Sequence, residues 1–527
     1  MREQHSAMTL NELADYWAAE KPDDIAYRFD GRATSFREFR DASEALARAF
    51  AAEGVGKGDR IAWIGKNSDR YFLTLFAAAR IGAVTVPVGW RLATAEMAFI
   101  VEDAEAGTIV SGPEFLDLAS GFADTIGCVK RLFGAEGNPT AECVASLQAR
   151  HESAPPVDYS PHCDDPIVQL YTSGTTGQPK GVVLTQNNIL KGRSRDEREI
   201  PNWDRWAEGD AGLQAMPVAH IAGTGYGILP LNRGMACSII AEFDIERTLD
   251  LIDARHVTRF FLVPAALQML ITHPRLAEID TSGVVQIAYG ASPMPLQLLR
   301  DCMKAFPNAG FAQFYGMTET TGTIIVLPPE DHDPAGNERM RSAGKPLDGV
   351  EVRIVDEQGK EVGVGEVGEI VTRSEANMVH YWKQPERTAE TVDGEGWLRT
   401  GDAAYRDADG YIYIHDRMKD MIITGGENVY PAEVENALYE HPQVSEAAVI
   451  GVPDETWGEA VKAVIVPKNG AKIDEREIIA FVRERIAGYK TPKTVDVIAV
   501  MPRNASGKIL RKDLRAPYWE GRERQVN

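Results

Sequence analysis

Residues 170 to 185 read LYTSGTTGQPKGVVLT, the densest run in the chain of groups able to hold phosphate. An apolar run from Pro166 to Leu170 has the texture of a strand. The segment Thr172-Ser173-Gly174-Thr175-Thr176-Gly177 follows it at once. Glycines let successive backbone N–H groups turn inward and hydroxyls add donors, so such a loop can cradle phosphate oxygens. Lys180 adds a mobile positive charge at the rim. This is not the Walker arrangement, which needs four residues between its glycines and then Gly-Lys-Ser/Thr. Taken alone, the same Gly, Ser, Thr and Pro cluster also describes a polar surface hairpin. The other chemically interesting residues stand singly: Glu319, Asp402, His220 and Lys508. For each there is an ordinary alternative, namely a surface turn, a Thr-Gly-Asp turn, a satisfied core histidine and a solvated basic tail.

These residues need elements to position them. Leu10, Leu13, Ala14 and Trp17 keep helical spacing, Ile25-Ala-Tyr-Arg-Phe alternates like a strand, and Phe36 to Ala51 returns to helix. Strand-like Asp59 to Gly65, a helix from Ser68 to Ile81 and a second strand from Ala83 make a β–α–β unit, and the pattern recurs to about residue 270. That recurrence predicts an α/β fold with a parallel, doubly wound sheet. His220 then falls at a strand-to-helix turn. The run Ile287-Ala-Tyr-Gly290-Ala291-Ser292 is a strand entering a turn, a place where open α/β sheets hold ligands and suited to a nucleotide base. After residue 340, short alternating runs separated by glycines predict antiparallel strands and a small barrel. From Val429 onward the order helix, strand, strand, helix predicts a compact α+β lid.

The phosphate-loop string closely resembles the signature of the adenylate-forming superfamily: acyl-CoA synthetases, luciferases and free-standing adenylation enzymes. The resemblance spans roughly residues 10 to 515, with Tyr315-Gly316-Met317-Thr318-Glu319, Gly396 to Asp402, Asp416 to Glu435 and the closing Met501 to Arg515 in family order. The family often has threonine where this chain has Ser506. It implies a large N-terminal domain, 1–416, of doubly wound sheets plus a small β-barrel, and a smaller mobile α+β lid, 417–527. ATP would be bound by Thr172 to Gly177, Lys180, Gly290, Ala291, Ser292, Gln313, Tyr315, Gly316, Thr318, Asp402 and Arg417. Tyr315 would lie against adenine, Thr318 would serve the α-phosphate, and Asp402 and Arg417 the ribose. Glu319 and Thr172 would hold Mg²⁺, for which hard oxygen ligands are suited. Lys508 would be the catalytic lysine, Lys419 the hinge, and His220 the gate between acyl and pantetheine channels. Gly425, Gly426 and Glu427 would line the path of coenzyme A.

The implied reaction is in two halves. A carboxylate is a poor acylating agent because its leaving group is hydroxide-like; its attack on the α-phosphate of ATP expels pyrophosphate and gives an acyl-adenylate, from which AMP is a good leaving group. Catalysis of that step is mainly positioning and charge stabilisation. A thiol then attacks the adenylate once the lid has rotated. The partners are a small-molecule carboxylic acid, ATP and CoA. The chain looks most like bacterial fatty-acyl-CoA ligases, which implies a medium- or long-chain fatty acid. Aryl and phenylpropanoid ligases share every motif, and a free-standing enzyme loading a carrier protein is a further alternative. Residues 220–225, 261–266, Tyr289 and 320–323 are the expected acyl pocket, with Gly223, Thr224 and Gly225 leaving volume for a tail.

Bulk properties narrow the partners. At 527 residues the chain exceeds one ordinary core. A formal charge of −22 argues against nucleic acid. From Arg417 onward basic and acidic residues balance at 17 each, so the excess lies in the larger part. The five cysteines are scattered without a CxxC pair, as in a reduced cytoplasmic protein. The polar N-terminus predicts no signal peptide, and the most apolar stretch, 260–270, is too short to span a bilayer. Peripheral membrane contact and oligomeric state are left open.

Overall fold

Two large sheets build the first part of the chain, each with parallel strands at its centre and antiparallel strands at an edge. The computed structural model describes residues 9–137, 141–172, 179–191, 200–417, 420–425, 427–454, 456–468, 471–503 and 508–520, less the side chains of 191, 416 and 417. The nine-stranded sheet runs, in spatial order, Lys345–Pro346, Gly322–Leu327, Gly310–Met317, Gln286–Gly290, Arg259–Leu262, Ala211–Gln214, Ala236–Ile239, Ile25–Phe29 and Arg32–Ser35. The six strands from Gly310–Met317 to Ile25–Phe29 are parallel. The seven-stranded sheet runs His380–Tyr381, Lys180–Thr185, Pro166–Thr172, Val84–Val88, Arg60–Ile64, Ala106–Ser111 and Arg131–Gly134.

Local sequence explains the first helices. Thr9 and Ser35 each cap a helix, their hydroxyl oxygens accepting from the N–H of Glu12 and Glu38, whose carboxylates in turn accept from the N–H of the cap, so Leu10–Glu20 and Phe36–Ala52 each start with an orphan N–H satisfied. The helix Asp69–Arg80 is buried from Tyr71 to Ala79, as expected of a helix apolar on every face. It packs in one core cluster with Tyr27, Cys237 and Ile239 of the larger sheet and Trp63, Ile167, Val168 and Leu170 of the smaller. The two sheets therefore share a core, which fixes the ends of their strands relative to each other.

Beyond residue 340 the expected barrel takes the form of a four-stranded antiparallel sheet, Glu351–Val355, Gly368–Arg373, Leu398–Arg406 and Ile412–Arg417. The last strand does not turn back onto the first. Its outer edge at Ile412 is taken by Gly344, through a bond from the Ile412 N–H to the Gly344 carbonyl. The C-terminal part has the expected order: helix Pro431–Tyr439, strands Val444–Asp454 and Gly458–Pro467, helix Glu475–Arg483. Its core is separate, built on Val434, Leu438, Val449, Ala463 and Val482.

Candidate active site

The strand Gly310–Met317 enters the site with two glycines nearby that admit no side chain. A Cβ on Gly316 would lie 1.7 Å from the Gly322 carbonyl oxygen, and one on Gly290 would lie 2.1 Å from that of Phe314. The first approach presses this strand against Gly322–Leu327, and the second brings the turn after Gly290 against its end. Ala291 in that turn has φ +63°, a left-handed conformation that costs a residue with a Cβ.

The result is a cavity of about 580 Å³. Gly290, Ala291, Ser292, Gln313, Tyr315, Gly316 and Asp402 line it from the first part of the chain, and Lys508 from the last. Eight sequence-predicted positions are thus brought together. The Tyr315 hydroxyl donates to Asp402 Oδ2 at 2.6 Å, so the ring and the carboxylate hold each other's orientation. His415, Arg511 and Phe314 line it as well. His415 stacks on Tyr430 at 4.5 Å between ring centres. Arg511 is fixed by a bidentate pair with buried Glu435, at 2.9 and 2.7 Å. Phe314 continues into an aromatic row, stacking on Phe261 at 6.3 Å, with Trp203 and Tyr226 at its two ends.

A second constellation sits at the mouth of the hairpin Pro166–Thr172 and Lys180–Thr185, where Thr172 and Lys180 are register partners. Glu319, in the short 3₁₀ turn Thr318–Thr320, is buried. Its Oε1 accepts from the Tyr381 hydroxyl at 2.8 Å and lies 3.8 Å from Lys180 Nζ. Lys180 in turn donates to the Tyr381 oxygen at 3.0 Å and lies over its ring, 4.1 Å from the centre. Burial first, and the charge of Glu319 second, hold the Tyr381 phenol well above its ordinary range, so it stays a donor. The Thr172 hydroxyl is buried without a partner among the described residues. An orphaned hydroxyl and a buried carboxylate are hard oxygen donors of the kind magnesium takes. Tyr381 lies 201 residues from Lys180 in sequence, and no spacing rule announces it.

His220 caps the helix Ile221–Asn232 without using its side chain, and its ring is partly buried. Burial, then the charge of Arg91, pushes it down to about 4, so it is neutral at physiological pH. Two of the small residues after it, Gly223 and Thr224, are packed against neighbours rather than opening volume. A Cβ on Gly223 would meet the Pro217 carbonyl oxygen at 2.1 Å, and the Thr224 hydroxyl is spent on Val218 O at 2.7 Å and Tyr71 at 2.6 Å. Tyr289, also expected to line the pocket, is fully buried with its hydroxyl between Gln313 and His332. Thr320 and Thr321 spend their hydroxyls on backbone carbonyls. Gly425 N–H donates to the Trp457 carbonyl at 2.8 Å, and exposed Glu427 follows in the hairpin strand Glu427–Val429. Thr318 opens the 3₁₀ turn, half-buried. Ser173, Gly174, Thr175, Thr176, Gly177, Lys419, Gly426 and the Arg417 side chain lie outside the described residues.

Known proteins share this architecture. The AMP-binding enzyme family matches residues 14–382 and the AMP-binding enzyme C-terminal domain residues 433–508. A fatty acid–[acyl-carrier-protein] ligase, ScoC of Streptomyces coeruleorubidus, is 38% identical over 98% of each chain. A feruloyl-CoA synthase of an Amycolatopsis species is 38% identical over 95% of this chain and 97% of the relative. The o-succinylbenzoate CoA synthetase of Bacillus subtilis, solved with its acyl-adenylate intermediate, superposes with a TM-score of 0.83 at 31% identity, covering 98% of each chain. An acid–thiol ligase of the AMP-forming type, with ATP, Mg²⁺ and CoA as its cofactors, is what these findings describe. The chain belongs to the adenylate-forming superfamily of AMP-binding enzymes.

Proposed function

We propose that the protein is an ATP-dependent acyl-CoA ligase acting on a medium- or long-chain fatty acid. The observation that carries the chemistry is the joining, in one cavity, of the Gly290–Ser292 turn, Tyr315 and Asp402 with Lys508 from the C-terminal part, which has a core of its own. Tyr315 presents a ring to adenine and Asp402 accepts from the ribose hydroxyls, the logic by which carboxylates read ribose in dinucleotide folds. Glu319 and Thr172 would hold Mg²⁺, which supplies neutralisation of phosphate charge. Lys180 serves the phosphates from the hairpin rim. Lys508 bridges the substrate carboxylate and the α-phosphate, where negative charge gathers during attack. Lys419 is the hinge between domain 1–416 and lid 417–527, and turning there withdraws Lys508 before the thiol arrives. His220, neutral, guards the entry of the thiol, and Gly425 to Glu427 line its approach. Among the described residues no helix is long and apolar enough to cross a membrane, and the five free cysteines suit the reducing cytoplasm.

A fatty acid is supported by the likeness to the fatty acid ligase ScoC across the full length. A second reading, an aryl or phenylpropanoid acid, has the aromatic row Trp203, Phe314, Phe261 and Tyr226 and the likeness to feruloyl-CoA synthase in its favour. The deciding measurement is AMP and thioester release with ATP, Mg²⁺ and CoA over a panel of C8–C18 and cinnamic or benzoic acids. Preference for the aliphatic acids supports the proposal. Preference for the ring acids overturns its substrate, and pyrophosphate exchange without acyl-CoA overturns CoA as acceptor in favour of a carrier protein.

A further inference from the structure

Lys180, at the start of a hairpin strand, and Glu319, in the 3₁₀ turn, face each other at 3.8 Å and are joined by the Tyr381 hydroxyl. The two-residue strand His380–Tyr381 is sewn to the hairpin strand that carries Lys180, pairing His380 with Val183 and Tyr381 with Val182. The Trp382 N–H donates to the Gly181 carbonyl at 2.7 Å, and the Tyr381 N–H to Thr388 Oγ1 at 3.0 Å, so the backbone on both sides of the phenol is fixed. Glu319 is tied to the same segment from the other side, its carbonyl accepting from the Met378 N–H at 2.7 Å. The phenol oxygen therefore accepts from the lysine and donates to the carboxylate in a chain with no slack. The arrangement neutralises a buried carboxylate that would be costly to leave without a counter-charge.

We propose that Tyr381 is a positioning residue for the metal–nucleotide site, and that Lys180 is a stand-in cation that occupies the field of Glu319 until nucleotide arrives. The inference rests on the reading of Glu319 as the metal carboxylate. When phosphates enter, the ammonium exchanges one anion for another: it leaves Glu319 for the phosphate oxygens, and the carboxylate takes up Mg²⁺ in its place. Charge stays balanced at each stage, and no covalent bond changes. Metal and nucleotide binding are coupled as a consequence, since each removes the obstacle to the other.

Titration of the full-length protein with Mn²⁺, followed by electron paramagnetic resonance with and without a non-hydrolysable ATP analogue, tests this. Lys180→Met is expected to bind Mn²⁺ about tenfold more tightly than wild type without nucleotide, because a positive charge 3.8 Å from the ligand is gone. Tyr381→Phe is expected to raise KM for MgATP about tenfold while KM for the acid and for CoA stay as they were. An unchanged or weaker Mn²⁺ affinity in Lys180→Met overturns the stand-in role. Equal changes in all three KM values for Tyr381→Phe, with a lowered melting temperature, reduce that residue to a packing role and overturn its assignment. A wild-type protein that binds no Mn²⁺ even with the analogue overturns the metal reading of Glu319 and the inference with it.

Discussion

The two constellations of the site are built on opposite plans. The Glu319–Tyr381–Lys180 group, buried at Glu319 and Tyr381 and partly buried at Lys180, is internally bonded and contained within the first part of the chain. The Tyr315–Asp402 cavity is open and draws its lysine from a domain with its own core. A buried, closed group suits a function that is the same in every turnover, the holding of metal and phosphates. A cavity completed from two parts suits a step that must be switched on and then off. Preorganisation is worth most where charge develops, and a mobile donor can be preorganised only when its carrier is docked.

Substitutions should separate the two plans. Lys508→Ala is expected to give the largest effect, a fall of about 10³ in the rate of adenylate formation. Thioester formation from preformed acyl-adenylate should be nearly unchanged in the same variant, as single-turnover assays of each half-reaction would report. A loss of both halves alike would mean that Lys508 holds the domain rather than the transition state. Gly316→Ala should come next. Its methyl would meet the Gly322 carbonyl at 1.7 Å, and overpacking against backbone costs about 3 kcal/mol, seen as a lower melting temperature. Asp402→Asn removes the charge that accepts from Tyr315 and that we propose accepts from the ribose, and is expected to raise KM for ATP about tenfold with KM for the acid unchanged.

The contrast also marks what the sequence made legible. Local residue pattern placed a helix at 68–81, found at Asp69–Arg80, and the lid order of helix, strand, strand, helix, because those signals are local. Gly290, Tyr315, Asp402 and Lys508 were found because motifs kept their order along the chain. Tyr381 was not, since its role exists only once the edge strand pairs with the hairpin. Arg511 lay inside a recognised stretch, yet its fixing by Glu435, 76 residues away, is tertiary. Gly223 and Thr224 misled for a related reason. Small residues look the same in sequence whether they leave space or admit a neighbour, and here Pro217 and Tyr71 fill it.

His220 gives the smallest and most specific test. Its ring stands between the two constellations in character, partly buried, lacking a carboxylate partner among the described residues and facing the charge of Arg91. Folded protein holds it down at about 4, whereas the unfolded chain returns it to about 6.5. Between those values the unfolded state binds more protons, so this group's contribution is fully present above about pH 6.5 and is lost as the pH falls towards 4. By pH 5.5 the loss is about 1 kcal/mol. His220→Gln carries no such proton, so its stability relative to wild type should rise by that amount between pH 7 and 5.5 in paired denaturation curves. A constant difference across that range would mean that the imidazole is already solvated in the folded enzyme, and that a ring free to charge cannot be the neutral guard of the thiol path.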